Sequence, residues 1–259
     1  FPDDWFYGSL DLACLEGSIA DLRDRTSRLV CRLALVPKDW KGPRGVFVSP
    51  KEAIFCQLGI DEAIKDAVRH SEMKQSYIPD SQYPSQELTL WASKSRSFST
   101  IDLSDASDRI TTQLVRHLYN RQDYLYLAST RPSHYIATDT EDVEEKLYTF
   151  SPMGDAKTFV VLTQVCWCLT MSAILLERGY IPARPPYWEL DKLSRDVKVF
   201  GDDIICPTEY TGMVCAALEA VGLRVNVAKS YAKGFFRESC GMDALAGNCV
   251  TPIRQKVDL

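Results

Sequence analysis

Residues 158–176 carry no charge at all. That run limits the fold more than any other feature, because it reaches the ~18 residues a membrane-spanning helix needs. A bilayer could hide it, and so could the core of a large domain. Thr163, Gln164, Thr170 and Ser172 interrupt the run and no basic cluster flanks it, which favours a helix buried in protein, with no membrane partner expected. The composition supplies a core to bury it in. With 46% hydrophobic and 25% charged residues, disordered and collagen-like chains are excluded, and 259 residues suffice for one large domain or two ordinary ones.

Patterning places the other elements. Residues 10–35 read as a helix passing into an extended run, and 36–50 as strand, basic turn and strand. Ile54, Leu58, Ile64 and Val68 recur near helical spacing, which predicts an amphipathic helix over 51–70, and the polar residues 71–87 read as a loop. A short strand over 98–102 precedes a helix capped by Asp105 or Ser107, with Ile110, Leu114 and Leu118 on one face. Residues 135–137 and 147–150 flank a hairpin turn at 139–142. Residues 197–200 and 204–206 are strands joined by the tight turn Gly201-Asp202-Asp203. A helix over 213–221 ends at Gly222, and 223–227 is a last strand. From Phe98 onward this order suits an antiparallel sheet backed by helices, an α+β fold.

The net charge of −5 argues against a protein that coats nucleic acid without specificity. The nine cysteines are scattered, and the one close pair, Cys166 and Cys168, is wrongly spaced for a zinc knuckle. They read as buried free thiols in a reducing cytosol. Trp91, Trp167 and Trp188 read as packing residues. The sequence opens at Phe1 with Asp3 and Asp4 close behind, which is neither a signal nor a transit peptide and reads as a piece of a longer polypeptide.

Asp202 and Asp203 sit at a hairpin tip and Asp102 ends a separate strand. Adjacent carboxylates repel unless a cation lies between them, and hard oxygen ligands of this kind select Mg²⁺ or Mn²⁺. A Gly-Asp-Asp turn alone is weak evidence, since surface turns are rich in both residue types. Its surroundings are more telling. Asp102-Leu-Ser-Asp-Ala-Ser-Asp108 ends a strand, Ser151-Pro-Met-Gly-Asp-Ala-Lys-Thr158 opens a helix, Phe200-Gly-Asp-Asp203 forms a hairpin, and Asn226-Val-Ala-Lys229 ends the next strand. These follow the order of motifs A to D of right-hand-shaped polymerases, with the basic turn bearing Lys38, Lys41 and Arg44 in the place of motif F.

A narrower resemblance rests on Val36-Pro-Lys, Gln57-Leu-Gly-Ile60, Asp102-Leu-Ser, Ala106-Ser-Asp108, Met153-Gly, Gly201-Asp-Asp-Ile-Ile205, Phe236-Arg-Glu-Ser-Cys-Gly241 and Val250-Thr-Pro252. In this order they resemble the replicase catalytic subunit of single-stranded RNA bacteriophages, the levivirus type, from about residue 30 to the C-terminus.

That resemblance implies an RNA-directed RNA polymerase core with a ferredoxin-like palm, fingers segments and the start of a thumb. It implies fingers over 1–97, a palm over 98–232 with a fingers-type insertion at 128–150, and a motif E hairpin leading into the thumb over 233–259. The implied partners are an RNA template, a nascent strand and NTPs, with host translation factors as holoenzyme subunits in the bacterial cytoplasm. Asp102, Asp202 and Asp203, with the Leu103 carbonyl, would hold two Mg²⁺ ions, or Mn²⁺ in their place. Lys38, Lys41 and Arg44 would neutralise the triphosphate, and Lys229 would donate a proton to pyrophosphate. Gly154 would give the backbone room beside the template, with Ser151 and Thr158 as hydroxyl donors. The phage enzymes carry a glutamate four residues after the motif B threonine, whereas this chain has Leu162 followed by Thr163, which leaves Ser107 or Asp108 for the 2′-hydroxyl. Arg237 and Glu238 either serve the primer-gripping hairpin or form a local ion pair. Three rivals remain: a narnavirus or mitovirus polymerase, a reverse transcriptase (though the segment has no aromatic sugar gate), and an inactive RNA-binding fragment.

Overall fold

The computed structural model describes residues 29–39, 42–137, 143–180 and 185–252. In chain order the elements are β1 (Val30–Asp39), β2 (Gly42–Val48), α1 (Lys51–Arg69), α2 (Tyr83–Ser95), β3 (Phe98–Ile101), α3 (Ala106–Arg109), α4 (Thr112–Leu118), α5 (Arg121–Ala128), β4 (His134–Ala137), β5 (Glu144–Lys146), α6 (Thr158–Glu177), α7 (Tyr187–Asp196), β6 (Lys198–Phe200), β7 (Asp203–Pro207), α8 (Thr211–Ala220), β8 (Phe236–Ser239), β9 (Met242–Leu245) and β10 (Asn248–Cys249). The mixture is α+β, and it forms two compact units that interleave along the chain: Phe1–Asp61 with Ile110–Thr158, and Glu62–Arg109 with Phe159–Leu259.

The first unit is built on a sheet ordered β2-β1-β4-β5, in which only β1 and β4 run parallel. Pro37 faces Pro43 across the β1–β2 hairpin, and the register slips just beyond, between Pro37 and Asp39. Neither proline can donate to the ladder, so regular pairing is weakest next to the basic turn. Thr111 and Asn120 start α4 and α5 by accepting the amide hydrogens of Leu114 and Asp123.

The second unit holds two antiparallel three-stranded sheets, β3-β7-β6 and β10-β9-β8. The uncharged run forms α6. It is apolar and long enough to cross a membrane by length and composition, with a mean hydropathy of 2.1, and 61% of that window is buried inside the protein. Val160, Val161, Val165, Cys166 and Ile174 are at or near zero exposure. Its place is therefore the expected one, a core helix.

Several expectations need correction. Residues 71–87 are not all loop, because α2 begins at Tyr83 with a proline in its first turn and packs on β3, β8 and β9. The helix expected from Asp105 through Leu118 breaks at Ile110, whose carbonyl accepts from Phe150 N instead of continuing a helical ladder. The strand expected over 223–227 shrinks to one bridge, Leu103 to Val225, before the chain turns into a short 3₁₀ segment at Val227–Lys229. The second arm of the 134–146 hairpin is β5, slightly earlier than expected. Trp188 is 62% exposed and Trp91 52%, although Trp91 still meets Phe98 edge-on at 5.5 Å, while Trp167 is half-buried and donates to Ser76 Oγ at 2.9 Å. Residues 10–28 and the turn at 139–142 lie outside the described residues.

Among the described residues all eight cysteines are free; Cys31, Cys166, Cys206 and Cys240 are buried.

Candidate active site

Alternation along β3 sends Ile101 and Leu103 into the core and turns Asp102 the other way. The antiparallel register of β3 with β7 ends at Ile101–Ile204, and one step further it sets Asp102 opposite Asp203. In the β6–β7 hairpin Phe200 pairs with Asp203, so Gly201 and Asp202 form a two-residue turn. Gly201 has φ +67°, and a Cβ there would lie 2.6 Å from Phe159 Cε2. Both facts demand glycine. The Gly201 amide donates to the Thr163 hydroxyl at 2.9 Å, and the Phe159 ring meets Phe200 edge-on at 4.7 Å. The first turns of α6 are thus the backing on which the acidic turn sits.

The Asp203 carboxyl feels both of its acidic neighbours. Burial, with the neighbouring charges of Asp202 and Asp102, pushes the Asp203 carboxyl up to about 6, against the opposing bonds it accepts from the Cys240 amide at 3.1 Å and the Ser239 hydroxyl at 3.3 Å. Asp102 Oδ2 accepts from Asn226 Nδ2 at 2.7 Å, and its own amide donates to Ser230 Oγ at 3.1 Å. Lys229 lies 3.7 Å from Glu238. Burial works against its charged form, but Glu238, Asp102 and Asp203 together hold the amine above its ordinary value. Ser104 N bonds Arg224 O and Asn226 N bonds Asp102 O, so the amide groups of Leu103 between them point to the opposite edge, where β7 turns.

Among the described residues no three His, Cys, Asp or Glu side chains close a cage around an ion. The donor set is open instead: carboxylates gathered at the ends of two strands, with a main-chain carbonyl on the same edge. Such hard oxygens suit a divalent cation that completes its shell with phosphate oxygens and water, and a cation would relieve the repulsion felt at Asp203.

Asp102, Leu103, Ser107, Asp108, Asp202, Asp203 and Lys229 all belong to the second unit. Ser107 is buried in α3 and Asp108 beside it is exposed. Arg44, Ser151, Gly154 and Thr158 belong to the first unit. Arg44 is exposed on β2, whereas Lys41 and the side chain of Lys38 lie outside the described residues. Ser151 and Thr158 bond each other at 3.0 Å, and Thr158 also reaches the Pro152 and Asp155 carbonyls, so these hydroxyls close their own loop. Leu162 is a core residue at 6% exposure.

Arg237 and Glu238 do not pair with each other. Arg237 is wholly buried and donates to the carbonyls of Phe98 at 2.6 Å and Phe236 at 2.7 Å, while Glu238 turns to Lys229. Reading from sequence missed Asn226, Ser239 and Cys240 as carboxylate partners, and Thr163 as the support of the acidic turn. The motif strings around 226 and 236–241 marked the right neighbourhood without the contacts.

A family model described as "RNA replicase, beta-chain" matches residues 11–259. The chain belongs to the RNA replicase β-chain family. Members of that family similar to it include the RNA-directed RNA polymerase beta chain of Escherichia phage MS2, 32% identical over 86% of this chain, and the beta subunit of Enterobacteria phage SP, 31% identical over 91%. The chain spans 37% and 38% of the lengths of those two replicase relatives. In fold it resembles the BmCPV RNA-dependent RNA polymerase at elongation state, with TM-score 0.60, 13% identity, and coverage of 91% of this chain and 23% of that one. It also resembles an apo telomerase of Candida tropicalis, with TM-score 0.55, 11% identity, and coverage of 88% and 56%.

Proposed function

We propose that this chain carries the catalytic core for template-directed RNA synthesis, moving a nucleotidyl group from an NTP to the 3′-hydroxyl of RNA and so replicating a phage single-stranded RNA genome. The observation that carries this reading is the register of β3 with β7, which sets Asp102 opposite Asp203 beside the Gly201–Asp202 turn, in a chain of the replicase family. In the corresponding domain reading, residues 98–232 form the palm with a fingers-type insertion at 128–150. Residues 1–97 supply fingers segments, and 233–259 supply the motif E hairpin and the start of the thumb.

Asp102, Asp202 and Asp203, with the Leu103 carbonyl, would hold two divalent cations, Mg²⁺ or in its place Mn²⁺. When bound, these ions supply activation of the 3′-oxygen and neutralisation of the departing pyrophosphate. Asn226 orients the Asp102 carboxylate through its 2.7 Å bond. Lys229, kept charged by the acids around it, is the proton donor to pyrophosphate. Lys38, Lys41 and Arg44 grip the triphosphate, with Arg44 able to do so bidentately. Ser107 or Asp108 meets the 2′-hydroxyl, and Ser151, Gly154 and Thr158 shape the loop beside the nascent pair. RNA template, nascent strand, NTPs and host translation factors are the partners, in the bacterial cytoplasm.

Primer extension on an RNA template tests this reading. The replicase should incorporate rNTPs in strong preference to dNTPs, and a preference for dNTPs would favour the reverse-transcriptase reading instead.

A further inference from the structure

The family-like string at Gln57 and the loop 151–158 meet in a cluster whose Gln57, Asp155 and Lys157 have no part in the chemistry above. Gln57 is wholly buried on α1. Its Nε2 donates to Ser49 Oγ at 3.3 Å and to the Thr130 carbonyl at 3.0 Å, and its Oε1 accepts from Ala156 N at 3.4 Å. Ser49 directly follows β2. Two residues back on that strand, Phe47 N donates to the Met153 carbonyl at 2.7 Å. Gly154 has φ +108°, and a Cβ there would stand 2.4 Å from Phe47 O and 2.8 Å from Val46 Cγ1. Loop and strand therefore touch backbone to backbone, and only glycine permits that approach.

A buried ion pair stiffens the loop from within. Lys157 Nζ lies 2.5 Å from Asp155 Oδ2, with side-chain exposures of 0% and 1%, and Lys157 N also donates to Asp155 Oδ1 at 3.1 Å. Burial pulls the lysine amine down and Asp155 opposes it, with Arg131 a second cation nearby. Such a pair adds little net stability over an apolar replacement, but it penalises any rearrangement that separates the charges in the core. Its contribution is to conformation rather than to stability.

We propose that Asp155, Lys157 and Gln57 are positioning residues: the ion pair holds the shape of the 151–158 loop, Gln57 ties that loop to the end of β2, and the two together, as a clamp, set the placement of Arg44 for the incoming triphosphate. The link to the triphosphate rests on the polymerase reading, whereas the clamp itself does not. The test uses Gln57→Leu and the paired substitution Asp155→Asn with Lys157→Met, which removes both charges while the asparagine Oδ1 can still accept from the residue-157 amide. Hydrogen exchange over 42–48 and steady-state kinetics for NTP are measured in the replicase. The paired variant should melt close to the parent, exchange the Phe47 amide about tenfold faster, and raise KM for NTP about tenfold with kcat changed less. Gln57→Leu should show the same exchange and KM changes in a fold that melts lower, because it strands the Ala156 amide and the Thr130 carbonyl. Parental exchange in a folded paired variant overturns the clamp. Faster exchange with parental KM overturns the link to the triphosphate. A parent that incorporates no nucleotide removes the polymerase reading, and the exchange result still decides the clamp.

Discussion

Asp203→Asn should stabilise the metal-free protein, by an amount that grows with pH. The Asp203 carboxyl sits at about 6 in the fold against 3.8 for the free side chain. The folded state therefore holds this proton over a range where the unfolded chain has lost it. A raised carboxyl lowers stability as pH climbs from about 4 to about 6, with no further loss above. Integrating the two titrations gives a penalty of about 1 kcal/mol at pH 4.5 and about 3 kcal/mol at pH 7.5. An amide carries no charge and escapes it. Its carbonyl can keep the Cys240 amide bond, and its NH₂ can face the Ser239 hydroxyl, which is able to accept. The variant's advantage in chemical denaturation with EDTA present should thus be about 2 kcal/mol larger at pH 7.5 than at pH 4.5. If the acidic turn holds cations as proposed, saturating Mg²⁺ should reverse the order, because an ion bound by the wild-type carboxylate would stabilise that fold preferentially. An advantage that does not change between the two pH values would refute the reasoning.

Other contacts give sharp expectations. Thr163→Val strands the buried Gly201 amide and should cost about 1–3 kcal/mol, while Thr163→Ser stays near wild type; urea titration of both checks this, and equal stability of the two would remove Thr163 as the support of the turn. Arg237→Lys should cost about 2–3 kcal/mol in thermal unfolding, because a single ammonium cannot reproduce a guanidinium fan reaching the Phe98 and Phe236 carbonyls together. A melting curve unchanged by the lysine would show that the hairpin is held by something else.

The acidic turn was legible because it needs so little context: two short apolar runs, a glycine, and two residues that cannot be buried unpaired. The uncharged run likewise had one good solution in a chain with this much apolar material. What escaped notice depends on partners far away in sequence. Helix α2 buries Ser85, Thr89, Ala92 and Ser93, a small and polar face that carries no apolar period. Two of those hydroxyls bond carbonyls of their own helix, Thr89 to Ser85 and Ser93 to Leu90. The expected strand at 223–227 has alternating apolar residues, but Asn226 turns toward Asp102 and Val227 is left 82% exposed, so pairing stops after one bridge. Arg237 looked like half of a surface pair because its neighbour is acidic; nothing local says that its partners are carbonyls of β3 and of its own hairpin.

The most direct test of the whole account is divalent-cation-dependent nucleotide incorporation on an RNA template by the replicase, wild type against Asp202→Ala. Loss of the charge that anchors the cations should lower the rate about 10³-fold or more at unchanged folding. Equal incorporation by the two proteins would contradict the assignment of the acidic turn as the catalytic centre.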